Sequence, residues 1–472
     1  MLVLVLEAST SAAKALLYDS ALGIIAAESE PYSPDYDTAG MQDTEQVYLA
    51  TIRVGRKVAK GKDVASVAVG GIWHSIAVCD SYMRPCAHTY PWTYTKASDI
   101  CRMIRADGSL AAEIYNNTGC FPNVTYQPYT LRYLRENGMA LDDKLFCSQG
   151  GYNFYRMTGE RYETASITSG MGFINTHTKR YDDMILDFAG VRKEQFGELT
   201  DYRELRPLTR ECADMLGVAA GIPVVPPYSD GALTQLGSGA MSPGAMTFSV
   251  GTSAAIRLTS DIPVLSAPPA TWCYVGVDCH MAGAATAGAC NCINLFKETV
   301  LKDTYSFGEL EARLLSGRGT AVYLPFPFGE RCPGWQDGRT GGFFGLDGFT
   351  DAPDLYAAIC EGVLFNVYQC YRILVELCGE PEKMILSGGI LESAKWTQLA
   401  ADIFRREIIL SGETQASVIG GAALALYAAG EIRDIRDFTV SAGDKVSPRP
   451  GIDYSSKYGR YLHWYELTMQ DM

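Results

Sequence analysis

A short internal repeat constrains the fold of this chain more than any other feature. The tetrapeptide Thr-Ser-Ala-Ala at residues 10–13 recurs at residues 252–255, 242 positions further along the sequence. Each copy follows an apolar run typical of a buried strand and precedes a second run of strand-forming residues. Since both copies occupy the same point of a strand–turn–strand pattern, the repeat predicts two comparable lobes that each begin with a β-hairpin.

The two repeated turns are built from residues that suit anion binding. Small side chains let a ligand approach the backbone closely, and N–H groups beside hydroxyls form an anion-binding nest. Two such turns facing each other across a cleft could hold successive phosphates of one nucleotide. The same residues also make ordinary tight turns, and the pattern by itself leaves both interpretations open.

The rest of the chain alternates between strand and helix patterns, which predicts an α/β protein. Strands are predicted at residues 2–6, 14–18, 24–27, 64–69 and 222–225, and helices at residues 46–57, 129–137, 393–404 and 458–469. A further apolar strand beginning at residue 385 runs into Gly388-Gly389. The small, turn-prone segment 239–244 precedes the second hairpin, so the predicted domains are residues 1–240 and 241–472.

Composition restricts the partners and the compartment. The 472 residues carry a net charge of −14, which argues against nucleic acid as the main partner but leaves a small anionic substrate possible. No apolar run approaches the roughly 18 residues of a membrane span, so no membrane association is expected. The 14 cysteines are scattered and never form a CxxC pair, which predicts reduced, mostly buried thiols and a cytoplasmic protein.

Motifs in the second half carry a family resemblance. Residues 325–335, Pro-Phe-Pro-Phe-Gly-Glu-Arg-Cys-Pro-Gly-Trp, residues 341–346, and the segment 387–402 together resemble the FGGY family of carbohydrate kinases, of the actin and hexokinase superfamily. The resemblance implies an α/β fold with two actin-like (ribonuclease H-like) lobes around a central cleft. The first lobe would bind the sugar and supply the catalytic base, and the second would bind the nucleotide. ATP and Mg²⁺ are the implied cofactors.

Within the family, the gluconate-kinase branch looks nearest. Trp73-His74-Ser75 resembles its Met-His-Ser turn, and residues 271–274, Thr-Trp-Cys-Tyr, resemble its Phe-Cys-Tyr strand. The resemblance therefore implies a kinase for a small sugar or sugar acid, with gluconate as the first substrate and xylulose or another pentulose or polyol next. A homodimer is a possible assembly.

The resemblance also assigns site residues. Asp230 matches the catalytic base, although a lone Asp-Gly is more often only a turn. Glu7 stands where the family has an aspartate that helps to hold Mg²⁺. Trp73 and His74 match the sugar-contacting dipeptide, with a purely structural histidine as the alternative. The positions implied for the nucleotide are Thr10 and Ser11 at the transferred phosphate, Gly251, Thr252 and Ser253 at the neighbouring one, and Gly288, Gly389 and Ser393 at the nucleoside side.

Several positions depart from the family pattern. Ser9 replaces a glycine of the first turn, and at a position that required positive φ it would cost stability or nucleotide affinity. Tyr94 replaces a sugar-binding aspartate and Lys96 replaces an arginine, and Lys96 is a candidate cation for a sugar acid. The alternative hypothesis is a catalytically weakened pseudokinase that still binds sugar or nucleotide. Retained Asp230 favours the enzyme, whereas Ser9 and Tyr94 favour the alternative.

Overall fold

The computed structural model describes residues 1–33, 37–38, 40–317, 319–412, 415–440 and 442–470. The strands are β1 (Leu2–Ala8), β2 (Ala12–Asp19), β3 (Gly23–Pro31), β4 (Asp37–Thr38), β5 (Met41–Gln42), β6 (Ser66–Gly71), β7 (Ser75–Cys79), β8 (Pro85–Pro91), β9 (Leu145–Cys147), β10 (Tyr162–Thr164), β11 (Ile174–Asn175), β12 (Arg180–Tyr181), β13 (Glu198–Thr200), β14 (Arg206–Pro207), β15 (Pro223–Ser229), β16 (Ala245–Val250), β17 (Ala254–Ser260), β18 (Trp272–Val275), β19 (His280–Thr286), β20 (Val322–Leu324), β21 (Gly342–Phe344), β22 (Lys383–Ser387), β23 (Ile408–Ser411) and β24 (Ala442–Val446).

The α-helices are α1 (Thr44–Ala59), α2 (Ser98–Ala106), α3 (Gly108–Thr118), α4 (Gln127–Glu136), α5 (Gln149–Thr158), α6 (Ala165–Met171), α7 (Asp183–Ala189), α8 (Arg210–Leu216), α9 (Asp230–Gly237), α10 (Cys290–Asn294), α11 (Phe307–Leu310), α12 (Ala352–Cys378), α13 (Ala394–Phe404), α14 (Ala416–Ala428) and α15 (Ser455–Gln470). Side chains cap several of them, which is why they begin where they do. Asp43 caps α1, Ser229 caps α9 and Ser393 caps α13.

The first large sheet has the strand order β14-β15-β6-β1-β2-β3. Strands β1, β6 and β15 run parallel, and β2 is antiparallel to both β1 and β3. Val3 to Ala8 are all buried, as expected for a central strand that is covered on both faces. The carboxyl ends of three neighbouring parallel strands therefore meet at one edge of this sheet.

The second large sheet repeats this arrangement within the order β18-β19-β17-β16-β22-β23-β24. Strands β16, β22 and β23 run parallel, and β17 is antiparallel to both β16 and β19. The hairpins β1–β2 and β16–β17 thus occupy equivalent places in the two sheets. The prediction of two lobes that each begin with a β-hairpin is confirmed.

The predicted elements agree with the observed ones to within a few residues. The first three predicted strands lie inside β1, β2 and β3, and the predicted helices at 46–57 and 458–469 lie inside α1 and α15. The predicted strand at 64–69 begins two residues later, at Ser66, because residues 63–65 form an irregular segment that leads into β6. The predicted division at residues 240 and 241 lies in the link between the two sheets and stays a prediction.

Close helix packing joins the two halves. Helix α14 of the second half crosses α9 of the first at glycines. A Cβ atom at Gly237 would lie 1.8 Å from the carbonyl oxygen of Ala416, and one at Gly420 would lie 1.9 Å from that of Leu233. Both contacts are too short for any side chain, so glycine is required for the helices to approach this closely.

The sequence predicted reduced, mostly buried cysteines and no membrane-spanning segment, and the structure bears on both expectations. All 14 cysteines are free, and all but Cys86, Cys290 and Cys378 are buried, as predicted. None of the helices in the described ranges combines the length and apolar content that a membrane span requires.

Candidate active site

The edge where the parallel strands of the first sheet end carries the predicted acidic residues. Glu7 lies near the end of β1 and pairs in register with Gly70 of β6, and Gly71 pairs with Ser229 at the end of β15. The next residue after β15 is Asp230, in the first turn of α9. Ligands of α/β proteins bind at such edges, because side chains from adjacent strands converge there.

A cavity of about 170 Å³ opens at this edge and receives residues from both lobes. The predicted site residues that line it are Thr10, Trp73, His74, Asp230 and Ser253. The other lining residues are Ile72, Trp92, Ala254, Ala255, Arg257, Trp272, Tyr274, Ala285 and Arg331. The structure therefore brings the predicted base, the dipeptide predicted to contact the sugar and one residue of each repeated turn around a single space.

The environment of Asp230 suits a general base. Burial, and then the nearby negative charge of Glu7, raises the pKa of Asp230 to about 6, although Arg257 opposes the shift. A base works best when its pKa lies close to the working pH, since it is then both ionised and basic. The Gly231 N–H donates to Asp230 Oδ1 at 2.8 Å, which leaves Oδ2 available to a substrate hydroxyl.

Glu7 is buried and forms an ion pair with Lys14, its cross-strand partner in the hairpin, with Nζ 2.8 Å from Oε1. Burial acts to lower the pKa of Lys14, but the charge of Glu7 and that of Asp230 outweigh burial, so the pKa is raised. The second carboxylate oxygen, Oε2, is buried and has no hydrogen-bond partner in the described chain. A buried carboxylate oxygen without a donor suits Mg²⁺, which prefers hard oxygen ligands and often takes one or two carboxylates together with phosphates.

Trp73 forms one wall of the cavity. Its indole N–H donates to the carbonyl oxygen of Ser166 at 2.8 Å, which fixes the orientation of the ring. The ring lies between two glycines: a Cβ atom at Gly170 would come within 2.3 Å of it, and one at Gly231 within 1.9 Å. The indole ring of Trp73 also contacts the ring of Tyr274 at a centroid distance of 4.9 Å.

The position of His74 defines its tautomer. Its Nδ1 is hydrogen-bonded to the carbonyl oxygen of Gly170, which can only accept, so Nδ1 carries the proton. Burial, assisted by the charges of Arg331 and Arg257, lowers the pKa of His74 to about 3, so the ring is neutral at physiological pH. Nε2 then carries a lone pair and can accept a hydrogen bond from a sugar hydroxyl.

The repeated turns differ in detail. In the first, Thr10 Oγ1 accepts from the Trp92 indole N–H at 3.1 Å, and Ser11 is exposed. Ser9 donates its hydroxyl to the Ala12 carbonyl oxygen at 2.7 Å and is not among the described non-glycine residues with positive φ. The serine therefore fits the turn without backbone strain, which removes one of the two features that favoured the pseudokinase alternative.

In the second turn, Ser253 reaches the cavity while Gly251 and the exposed Thr252 lie beside it. The Cys290 N–H donates to the Gly251 carbonyl oxygen at 2.9 Å, so this turn is held against the start of α10. Next to it, Gly389 begins a 3₁₀ turn and is exposed. This turn leads into Ser393, whose hydroxyl caps α13 by accepting from the Trp396 N–H.

Gly288 is fixed by packing. A Cβ atom there would lie 2.1 Å from the Pro325 carbonyl oxygen, so the glycine is required by the chain itself. Whether Gly288, Gly389 and Ser393 also contact a nucleotide stays a prediction.

Tyr94 and Lys96 are not brought to the cavity. Tyr94 is 8% exposed and packs against Tyr90 and Tyr133 at centroid distances of 4.9 and 6.3 Å. Lys96 is exposed at the surface. The two cations that do line the cavity are Arg257 and Arg331. Sequence reasoning did not select them as site residues, although Arg257 is a charged residue in an apolar strand directly after the repeat.

The fold has two actin-like lobes, and a turn from each lobe lies at one cavity beside a candidate base and a carboxylate that suits a metal ion. This arrangement is typical of an ATP-dependent phosphotransferase. Models of the FGGY family of carbohydrate kinases match residues 2–237 with the N-terminal domain and residues 246–429 with the C-terminal domain. The chain belongs to this family. It is accordingly a carbohydrate kinase, and ATP and Mg²⁺ are its cofactors.

Individual relatives agree with this assignment. A gluconokinase of Bacillus licheniformis is 25% identical over 450 residues, which cover 90% of this chain and 87% of that protein. The crystal structure of a gluconate kinase from Lactobacillus acidophilus superposes with a TM-score of 0.90 at 23% identity, covering 100% of this chain and 97% of that one. A ligand-bound xylulose kinase from the same organism also gives a TM-score of 0.90 at 23% identity, covering 99% and 97%.

Proposed function

We propose that this carbohydrate kinase phosphorylates a hydroxyl of gluconate, with xylulose as the next candidate, and that Asp230 is its catalytic base. The observation that carries the proposal is the position of Asp230, at the end of β15 in a cavity that both repeated turns reach. The gluconokinases among its relatives make gluconate the first substrate to test.

In the proposed reaction, the His74 Nε2 lone pair and the indole of Trp73 orient the acceptor in the cavity. The Asp230 carboxylate receives the proton of one hydroxyl while that oxygen attacks the terminal phosphorus of ATP and ADP leaves. The N–H groups and hydroxyls around Thr10 and Ser253 hold the phosphates on either side of the reacting bond. Lys14 holds the Glu7 side chain in position through their ion pair.

Glu7 is the residue that would hold Mg²⁺, through the buried oxygen that lacks a partner. When bound, Mg²⁺ neutralises phosphate charge and helps to align the terminal phosphate for in-line transfer. We further propose a cytoplasmic enzyme and a homodimer. Light scattering on purified protein tests the dimer, and a doubling of mass over 51.4 kDa is expected.

The decisive experiment measures ADP release with gluconate, xylulose and glycerol, each with ATP and Mg²⁺. Sugar-dependent release that is largest with gluconate is expected. The Asp230→Asn variant, which keeps the side-chain size, should still bind ATP and lose about 10²- to 10⁴-fold in kcat. Folded protein that binds ATP but releases no ADP with any acceptor would support the pseudokinase alternative instead.

A further inference from the structure

Two arginines line the active-site cavity without forming an ion pair in the described part of the chain. Arg257 lies on β17 and Arg331 in the segment that follows β20, and both line the cavity. Within the described ranges, neither guanidinium forms a hydrogen bond or an ion pair with another side chain, and the Nε atom of each is buried without a partner. Arg257 lies over the face of Trp73, with Cζ 5.8 Å from the ring centroid.

The cavity is therefore positively charged. Among the described lining residues, Asp230 is the one carboxylate, whereas Arg257 and Arg331 contribute two positive charges and His74 is neutral. The excess of positive charge in the cavity contrasts with the net charge of the whole protein, which is −14. Both arginines are half-buried, and a charge that loses part of its hydration is costly unless it is paired, so a cavity that holds two guanidinium groups against one carboxylate is suited to receive an anion.

The position of the arginines points to the acceptor rather than to ATP. Arg257 is three residues beyond the start of β17. Because an extended strand rises about 3.3 Å per residue, its backbone lies about 10 Å from the turn that is proposed to bind phosphate. It pairs in register with Gly283, which in turn pairs with Trp272 of the aromatic wall. The residue after Arg331, Cys332, donates its N–H to Ala285 on the same strand as Gly283.

Both arginines also act on His74, which belongs to the sugar-contacting dipeptide. Their charges lower the pKa of His74, after the larger effect of burial. The two guanidinium groups, the imidazole and the indole of Trp73 thus line one cavity, and the charges of the arginines act on the imidazole.

We propose that Arg257 and Arg331 bind the carboxylate of a sugar acid, and that this pair makes the kinase selective for sugar acids over neutral polyols. The inference rests on the proposed function, since it names the substrate class of that site. An arginine presents parallel N–H donors that match the two oxygens of a carboxylate, and such charge-assisted pairs are stronger than neutral hydrogen bonds. A neutral polyol would leave both cations unpaired.

The test compares gluconate with sorbitol, its neutral analogue of equal length, in wild type, Arg257→Gln and Arg331→Gln. Each substitution is expected to raise the KM for gluconate at least tenfold, while the KM for sorbitol and the KM for ATP change less than about threefold. Arg257→Lys, which keeps the charge but loses the planar fork, should fall between wild type and Arg257→Gln. Arg436→Gln is the matched control, because Arg436 forms an exposed pair with Asp261.

Calorimetric titration of gluconate into Asp230→Asn protein without ATP separates this inference from the proposed reaction. Binding that weakens at least tenfold when Arg257→Gln is added supports the carboxylate site, even if wild type releases no ADP. Unchanged gluconate binding, equal selectivity for sorbitol, or a rise in the KM for ATP as large as that for gluconate overturns the inference while leaving the kinase activity standing.

Discussion

The indole of Trp73 lies directly against the Cα atom of Gly231, the residue that follows the proposed base. A Cβ atom at Gly231 would lie 1.9 Å from Cζ3 of Trp73, about half of an ordinary van der Waals contact distance between carbons. The wall of the cavity and the position of Asp230 are therefore set by the same contact. Any side chain at residue 231 has to move the ring, the helix start or both.

Gly231→Ala is expected to reduce kcat/KM for the sugar at least tenfold, because displacing the indole or Asp230 disturbs the alignment of hydroxyl and base. Gly308→Ala is the matched control, since a Cβ atom at Gly308 meets nothing within 4 Å. Steady-state kinetics and a urea unfolding curve of both variants provide the check. Equal activity of Gly231→Ala and wild type would contradict the contact as a determinant of the site.

The acid limb of the pH profile reports on Asp230. Because burial and Glu7 raise its pKa to about 6, the carboxylate becomes protonated, and unable to accept a proton, as the pH falls through about 6. The value of kcat/KM should therefore be flat near pH 7.5 and decrease tenfold per pH unit below about 6. Arg257 holds this pKa down, so Arg257→Gln should move the limb to higher pH.

Binding of ATP, followed calorimetrically over the same pH range, is the control for a general loss of structure. A kcat/KM that stays constant from pH 7.5 to pH 5, with binding intact, would exclude Asp230 as the titrating base.

Features that depend on neighbouring residues in the chain could be predicted from the sequence, whereas features that depend on the fold could not. The two hairpins, the strand ends and the position of Asp230 follow from apolar runs and turn residues that are contiguous in the chain. The pairing of Glu7 with Lys14 also follows from hairpin register. Arg257 and Arg331 could not be grouped in this way, since a strand register and a backbone hydrogen bond from Cys332 bring them together.

The pocket roles proposed for Tyr94 and Lys96 depended on the family pattern around Trp92. In the structure, the aromatic ring of Tyr94 packs against the rings of Tyr90 and Tyr133, and Lys96 is exposed to solvent. A phenol ring gains more from burial among other rings than the carboxylate it replaces would, so the substitution redirects this position towards the core. Sequence position alone does not show that change.

Glu7→Gln tests the proposed metal position. The amide keeps the size of the side chain but presents only one oxygen and no charge, so the Mg²⁺ concentration for half-maximal activity should rise at least tenfold. Glu7→Asp keeps the charge and should fall between Glu7→Gln and wild type. Titration of Mg²⁺ at saturating ATP gives the measurement, and Glu28→Gln, at an exposed position of β3, is the matched control. An unchanged Mg²⁺ requirement in Glu7→Gln would remove Glu7 from the metal site.

The buried ion pair between Arg339 and Glu330 joins the 325–335 segment to the final helix. The Arg339 and Glu330 side chains are fully buried with N and O 2.6 Å apart. Arg339 also donates to the Tyr465 carbonyl oxygen at 2.6 Å, and the Tyr465 hydroxyl donates to Glu330 at 2.6 Å. Removing the guanidinium would leave a buried carboxylate uncompensated, so Arg339→Met should lower the free energy of unfolding by about 3–5 kcal/mol.

The loss should depend on pH in a defined direction. Burial already raises the pKa of Glu330 and Arg339 opposes it, so without Arg339 the pKa rises further. A carboxyl whose folded-state pKa is raised contributes stability that is lost as the pH rises through that pKa, so Arg339→Met should be more destabilised at pH 8 than at pH 5.5. Adding Glu330→Gln should recover part of the loss, whereas Arg313→Met, at an exposed pair, should change the free energy of unfolding little. Urea unfolding at both pH values measures this, and a pH-independent loss in Arg339→Met would show that packing of the arginine, not its charge, stabilises the final helix.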